Sequence, residues 1–134
     1  MTQNAIRQSL ADCQTIAVVG LSPKPHRDSF RVAKYMQDHG FRIVPINPNA
    51  PEVLGERAYA SLSEAAEHVQ IDMVNCFRNA EDIPPIAAEA IAIGAKSLWL
   101  QIGVINDAAA AQATAAGLHV VQNRCLMVEH RQLK

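Results

Sequence analysis

A doubly wound α/β domain built on a parallel sheet follows from three features of the chain. Short apolar β-branched runs alternate with helix-length segments, with little slack between them. The first of these runs, Ile16 to Val19, is apolar without polar alternation, as a strand covered on both faces must be. Glycines stand where helices or strands should stop, at Gly20, Gly40, Gly94, Gly103 and Gly117.

An opening helix over Asn4 to Ala11 precedes the first strand. The second helix spans Ser29 to His39, with Phe30, Ala33 and Met36 on one face and Gly40 as its terminator. Strand two is Arg42 to Ile46, closed by Asn47-Pro48, and residues 49 to 59 read as a loop containing Pro51 and Gly55. Ser61 and Glu64 form a capping box that opens a short helix to Val69. Strand three is Asp72 to Phe77, and the helix after it carries Pro84 and Pro85 in its first turn, where a missing N–H costs nothing. Strand four runs from Ser97 to Ile102. Asn106 caps an alanine-rich helix to Ala116, strand five is His119 to Gln122, and the segment from Arg124 to Lys134 closes the chain as a last short helix. Right-handed crossovers then suggest five parallel strands in the order 3-2-1-4-5, with a ligand site at the C-terminal ends of strands one and four and with strand two nearby.

With 134 residues and 49% hydrophobic content, residues 1–134 make one compact domain with a real core. No apolar run approaches the roughly 20 residues that span a bilayer, and the first residues lack a charged leader followed by an apolar stretch, so a cytoplasmic location is expected. Cys13, Cys76 and Cys125 are an odd count without C-x-x-C spacing, which predicts reduced thiols and neither a disulfide framework nor a zinc site. The scattered histidines predict no metal site. A net charge of −1 without blocks of like charge gives no footprint for nucleic acid or an anionic membrane.

Charge is nonetheless concentrated in one place. Between Gly20 and Tyr35 the cations Lys24, Arg27, Arg31 and Lys34 face a single acid, Asp28. Gly20 permits a sharp turn after the buried strand, Pro23 and Pro25 stiffen it, Ser22 adds a hydroxyl, and a helix N-terminus follows. This is the composition of a phosphate-binding turn, in which main-chain amides and the Lys24–Arg27 pair are expected to converge on a diphosphate. A nicotinamide or flavin dinucleotide would ask for G-x-G-x-x-G after strand one and an acid at the end of strand two. The chain has one glycine in the first position and Asn47-Pro48 in the second.

The segments VVGLSPKP (18–25), PINPN (45–49), LGE (54–56), FRNAEDIP (77–84), AIAIGAKSLWLQIGV (90–104) and AAGLHVVQNRC (115–125), with Glu129-His130, carry a family resemblance. Over residues 12–131 the chain resembles the small stand-alone CoA-binding domain proteins, themselves similar to the CoA-binding domain of the succinyl-CoA synthetase alpha subunit. The resemblance implies a three-layer, Rossmann-like fold and coenzyme A as ligand. The residues it implies in contact with CoA are Gly20, Leu21, Ser22 and Lys24 after strand one, Asn47 and Pro48 after strand two, and Gln101, Ile102 and Gly103 after strand four. Where the family often places proline between the arginine and the serine, this chain has Arg27-Asp28-Ser29. The phosphorylated histidine of the synthetase lies in a further domain, so ligase chemistry is not expected to transfer.

Each of these residues also has an ordinary structural reading. Lys24 and Arg27 are phosphate ligands or solvated loop charges; Ser22 is a ligand or a turn-former; Asn47-Pro48 lines an adenosine pocket or ends a strand with an Asx turn. Arg78, just past strand three, is a ligand contact or a rim salt bridge. Trp99 reads as core. The expectation is a module that binds CoA or an acyl-CoA without catalysis, with protein partners left open. The alternatives are a small enzyme acting on CoA thioesters through Arg78, Gln101 or Cys125, and an NAD(P)-sensing domain. His130 lies five residues from Cys125, a poor spacing for a thiol–imidazole pair on one helix face. A disulfide between CoA's thiol and Cys125 or Cys76 is a subtler alternative.

Overall fold

The structure, a computed structural model, describes residues 2–133. Its elements in chain order are α1 (Thr2–Asp12), β1 (Thr15–Val19), α2 (Asp28–Asp38), β2 (Arg42–Ile46), β3 (Glu52–Val53), β4 (Glu56–Arg57), α3 (Leu62–Ala66), β5 (Met73–Cys76), α4 (Ile83–Ala92), β6 (Ser97–Leu100), α5 (Asp107–Ala115), β7 (His119–Val121) and α6 (Leu126–Gln132). Five of the strands form one parallel sheet in the order β2-β1-β5-β6-β7. Strand alternation divides the core into two. Ile16, Val18, Ile43, Met73 and Trp99 pack toward α1, α2 and α6, whereas Ala17, Val19, Val44, Val74, Leu98 and Leu100 pack toward α3, α4 and α5. Trp99 is fully buried in the first of these layers and donates its indole N–H to the Arg124 carbonyl at 2.8 Å.

The three-layer α/β class is as expected, but the strand order is corrected. Counting only the strands of the large sheet, it runs 2-1-3-4-5: the third strand inserts beside the first and does not lie outside the second. The physical reason is Pro45, inside β2. Proline has no N–H for a ladder, so its strand belongs at a sheet edge. The Pro45 carbonyl points outward, accepting from the Tyr59 amide at 3.0 Å, so the missing donor lies on the edge that needs none. In consequence the chain reverses direction between β1 and β5, and the switch-point crevice lies between the loops that follow those two strands.

The expected loop at 49–59 contains the β3–β4 hairpin, turned by Leu54 (φ 56°) and Gly55 (φ 76°). This is the two-residue geometry that needs positive φ at both positions. Helix α3 ends at Ala66, earlier than its pattern suggests, and a single 3₁₀ turn at Ala80–Asp82 leads into α4. The buried face of α2 is Ser29, Val32, Ala33 and Met36, displaced from the predicted one so that Phe30 is only partly covered.

Candidate ligand site at the switch point

Gly20 takes φ +85° immediately after β1, and a Cβ there would stand 2.5 Å from the Phe77 carbonyl oxygen. Only glycine lets the loops after β1 and β5 approach this closely. The following residues open a cavity of about 530 Å³ walled by Gly20, Ser22, Lys24, His26, Arg27, Asp28, Ser29 and Phe77. Four of the expected site residues, Gly20, Ser22, Lys24 and Arg27, therefore meet around one space.

The loop amides do not behave as the sequence suggests. Gly20 N–H donates to the Ile46 carbonyl (3.1 Å), Ser22 N–H to Ser29 Oγ (3.0 Å), Lys24 N–H to Ser22 Oγ (3.1 Å) and Arg27 N–H to the Lys24 carbonyl (3.1 Å). Those amides are spent on holding the turn's shape. Donors free to meet an anion come instead from side chains and from the first turn of α2, whose N-cap residue, Arg27, makes no side-chain capping bond. Lys24 and Arg27 are exposed and make no ion pair among the described residues. The acid at the edge of this space is neutralised locally, because Asp28 pairs with Arg31, which also donates to the His26 carbonyl. The cavity thus keeps two unpaired cations beside an uncapped helix end.

The remaining candidates fall elsewhere. Leu21 is fully buried in the core, and its carbonyl accepts from Asn47 Nδ2 at 2.9 Å, so its side chain does not reach the cavity. Asn47 uses its other side-chain atom, Oδ1, to accept from the Asn49 amide at 2.8 Å. Its role is the Asx turn that ties the β1 and β2 loops together, and Pro48 beside it is exposed. Gly103 donates its N–H to Asn123 Oδ1 at 2.7 Å, a contact made by a residue at φ 58° that no sequence motif marks. Arg78 forms an ion pair with Asp82 at 3.5 Å and lines two neighbouring hollows, not the cationic cavity. Gln101 is buried and its Oε1 accepts from the Leu126 amide at 3.1 Å.

Gln101 and Ile102 wall a second groove of about 280 Å³ that runs between α2 and α6 and includes Val32, Cys125, Met127 and Val128. Asp28 and Phe77 belong to both spaces. Phe77 is the residue whose importance the sequence hid: as the first residue past β5 it reads as a strand terminus, and only the corrected strand order puts it at the switch point. The His130 ring lies among Tyr35, His39 and Phe41, with Nδ1 2.9 Å from the Tyr35 hydroxyl.

Comparison with known proteins decides the family, because the CoA binding domain model matches residues 14–131. The chain belongs to the CoA binding domain family. It is similar to the uncharacterized protein YneT of Bacillus subtilis, 40% identical over 129 residues that cover 96% of this chain and 94% of that one. A solved structure of a hypothetical protein from Pyrococcus horikoshii superposes with a TM-score of 0.92 at 39% identity, covering 99% of this chain and 92% of that one. An ADP-forming acetate–CoA ligase of Archaeoglobus fulgidus is 28% identical over 85 residues, 62% of this chain but only 12% of the ligase. The family member described here thus corresponds to a small part of that enzyme. Among the described residues no helix is long and apolar enough to cross a membrane.

Proposed function

We propose that this protein binds coenzyme A or an acyl-CoA at the switch-point cavity and does so without catalysis. The observation that carries the reading is the pairing of two unpartnered cations, Lys24 and Arg27, with the uncapped first turn of the eleven-residue helix α2 on the wall of one cavity. A diphosphate is the chemistry that such a wall suits: Lys24 supplies a compact charge, Arg27 a planar fork of donors, and the helix end a partial positive charge. Ser22 keeps its hydroxyl hydrogen to donate, since its oxygen already accepts from Lys24 N–H. Pro48 offers an exposed surface for the adenosine end, and Asn47 acts by holding the two loops in register. The absence of an acid at the end of β2 disfavours the ribose contact that dinucleotides use.

Calorimetric titration with CoA, acetyl-CoA, NAD and ATP tests the reading. CoA and acetyl-CoA are expected to bind and NAD to bind far more weakly. The Lys24→Ala/Arg27→Ala double variant should lose at least about tenfold in CoA affinity, because each charge-assisted contact contributes about 1.5–3 kcal/mol. Unchanged affinity in that variant would remove the phosphates from this cavity. Incubation with acetyl-CoA should release no CoA thiol above background, and sustained turnover would make the protein an enzyme.

A further inference from the structure

We propose that the groove between α1 and α6 is a second binding site, one that takes a medium-chain monocarboxylate with its apolar body against Phe41 and Leu133 and its carboxylate on Arg7. The groove lies at the opposite end of the sheet from the switch point: Leu10 and Ala11 belong to the last turn of α1, which leads into β1, and Phe41 directly precedes β2. It shares no wall residue with the cationic cavity or with the groove beside that cavity, so the inference does not depend on the CoA reading.

Three observations argue for this occupant. The groove measures about 460 Å³, within the roughly 300–1,000 Å³ of small-molecule sites, whereas six wall residues fall far short of the roughly 20–30 a side that a stable protein interface engages. Its apolar wall is Leu10, Ala11, Phe41 and Leu133, and Leu133 is one of the few large apolar side chains left exposed among the described residues. That wall is braced, because the His130 ring meets the Phe41 ring edge-on at 5.6 Å while its Nδ1 sits 2.9 Å from the Tyr35 hydroxyl, so little ordering is needed on binding.

Charge then selects the head group. No carboxylate lines the groove, and Arg7, in its wall, is exposed and makes no ion pair among the described residues. Arg42 and Arg131, the chain neighbours of Phe41 and His130, are likewise exposed and unpaired. The acids of the adjoining helix ends are already engaged: Asp12 faces His119 at 3.5 Å and Asp38 pairs with Lys34 at 3.0 Å. An apolar floor under a cationic rim complements an amphiphile that ends in an anion, and the planar fork of an arginine matches a carboxylate through two parallel hydrogen bonds.

Amide NMR spectra of the full chain during titration with octanoate, octylamine or acetate test the proposal. Octanoate should shift the amides of Leu10, Ala11, Phe41 and Leu133 saturably, whereas octylamine, with the same body and the opposite charge, and acetate, with the head group alone, should leave them in place at the same concentrations. Arg7→Gln, a change at an exposed position, should weaken octanoate at least about fivefold, and Arg7→Lys should recover part of the loss. The Lys24→Ala/Arg27→Ala variant should bind octanoate as the unaltered protein does, whatever becomes of its CoA affinity. Octylamine shifting the same amides as strongly would reduce the groove to a sticky apolar surface, and an unchanged affinity in Arg7→Gln would remove the carboxylate from Arg7; either result overturns the proposal. Shifts of these amides on simple dilution of the ligand-free protein would assign the groove to contact between copies of the chain and overturn it as well.

Discussion

Gly20 shows how one missing methyl group organises the site. Its φ of +85° and the 2.5 Å that would separate an added Cβ from the Phe77 carbonyl oxygen leave no place for a side chain, so Gly20→Ala must push the β1 and β5 loops apart. The expected cost is about 1–3 kcal/mol in urea denaturation, with CoA affinity falling as the cavity wall shifts. A variant of unchanged stability would mean that the two loops yield freely. Cys13 and Cys76 make a second residue-level prediction. Burial pushes both thiols up from 9.0 to about 12, with the nearby Asp72 charge adding to the effect at Cys13. A group whose pKa is raised by folding favours the native state below its unfolded pKa, and that contribution drains away as pH rises from about 9 toward 12. Melting temperature should therefore fall across that alkaline window, and less steeply in Cys76→Ala compared at matched starting stability. Individual residues were legible in uneven measure. Lys24, Arg27 and Ser22 stand out in the sequence by charge and turn chemistry, whereas the scaffold hydrogen bonds of Asn47 and Gly103 carry no signal along the chain.

Among the elements, caps were the most readable features because they depend on neighbours in sequence. Ser61 Oγ accepts from the Glu64 amide at 3.1 Å, and Asn106 Oδ1 accepts from the Ala109 amide at 3.0 Å, each at its expected helix start. Asn106 does more than cap, since its Nδ2 donates to the Ala80 carbonyl at 3.0 Å and so tethers α5 to the turn after β5. Asn106→Ala should cost about 1–2 kcal/mol, and Asn106→Asp, which keeps the cap but loses the tether, should recover part of it. Equal losses in the two variants would assign the stability to the tether alone. The α2 N-terminus is the informative exception: the 11-residue helix follows an N-cap, Arg27, that makes no side-chain capping bond, and its first turn lines a cavity where an anion would serve as its cap. The sequence offers Asp28 and Ser29 at this start, and only the structure shows that no side chain caps it.

For the molecule as a whole, local charge matters more than the net value. The chain carries −1 overall, yet the cavity wall is cationic, so binding of a polyanion should weaken as salt screens Lys24 and Arg27. Raising the salt from about 0.05 to about 0.5 M, roughly a threefold shortening of the screening length, should reduce CoA affinity severalfold, while the double variant should show a flatter dependence. A salt-independent affinity would place the binding energy in apolar contacts. The alternation of buried strands with helices was sufficient to establish a three-layer parallel α/β fold, because burial on both faces and helix periodicity are properties of short windows. The order of the sheet was not established in that way, since both candidate orders satisfy right-handed crossovers; Pro45 held the deciding clue, and its meaning depends on which neighbour each strand edge receives. The residue composition of the first turn singled out Ser22, Lys24 and Arg27 as candidate phosphate contacts without reference to any distant part of the chain. Which loop faces that turn, which amides are already occupied, and how Phe77 and the Cys125 groove adjoin it came only with long-range packing, because contacts between residues fifty or more positions apart leave no periodic trace along a single sequence.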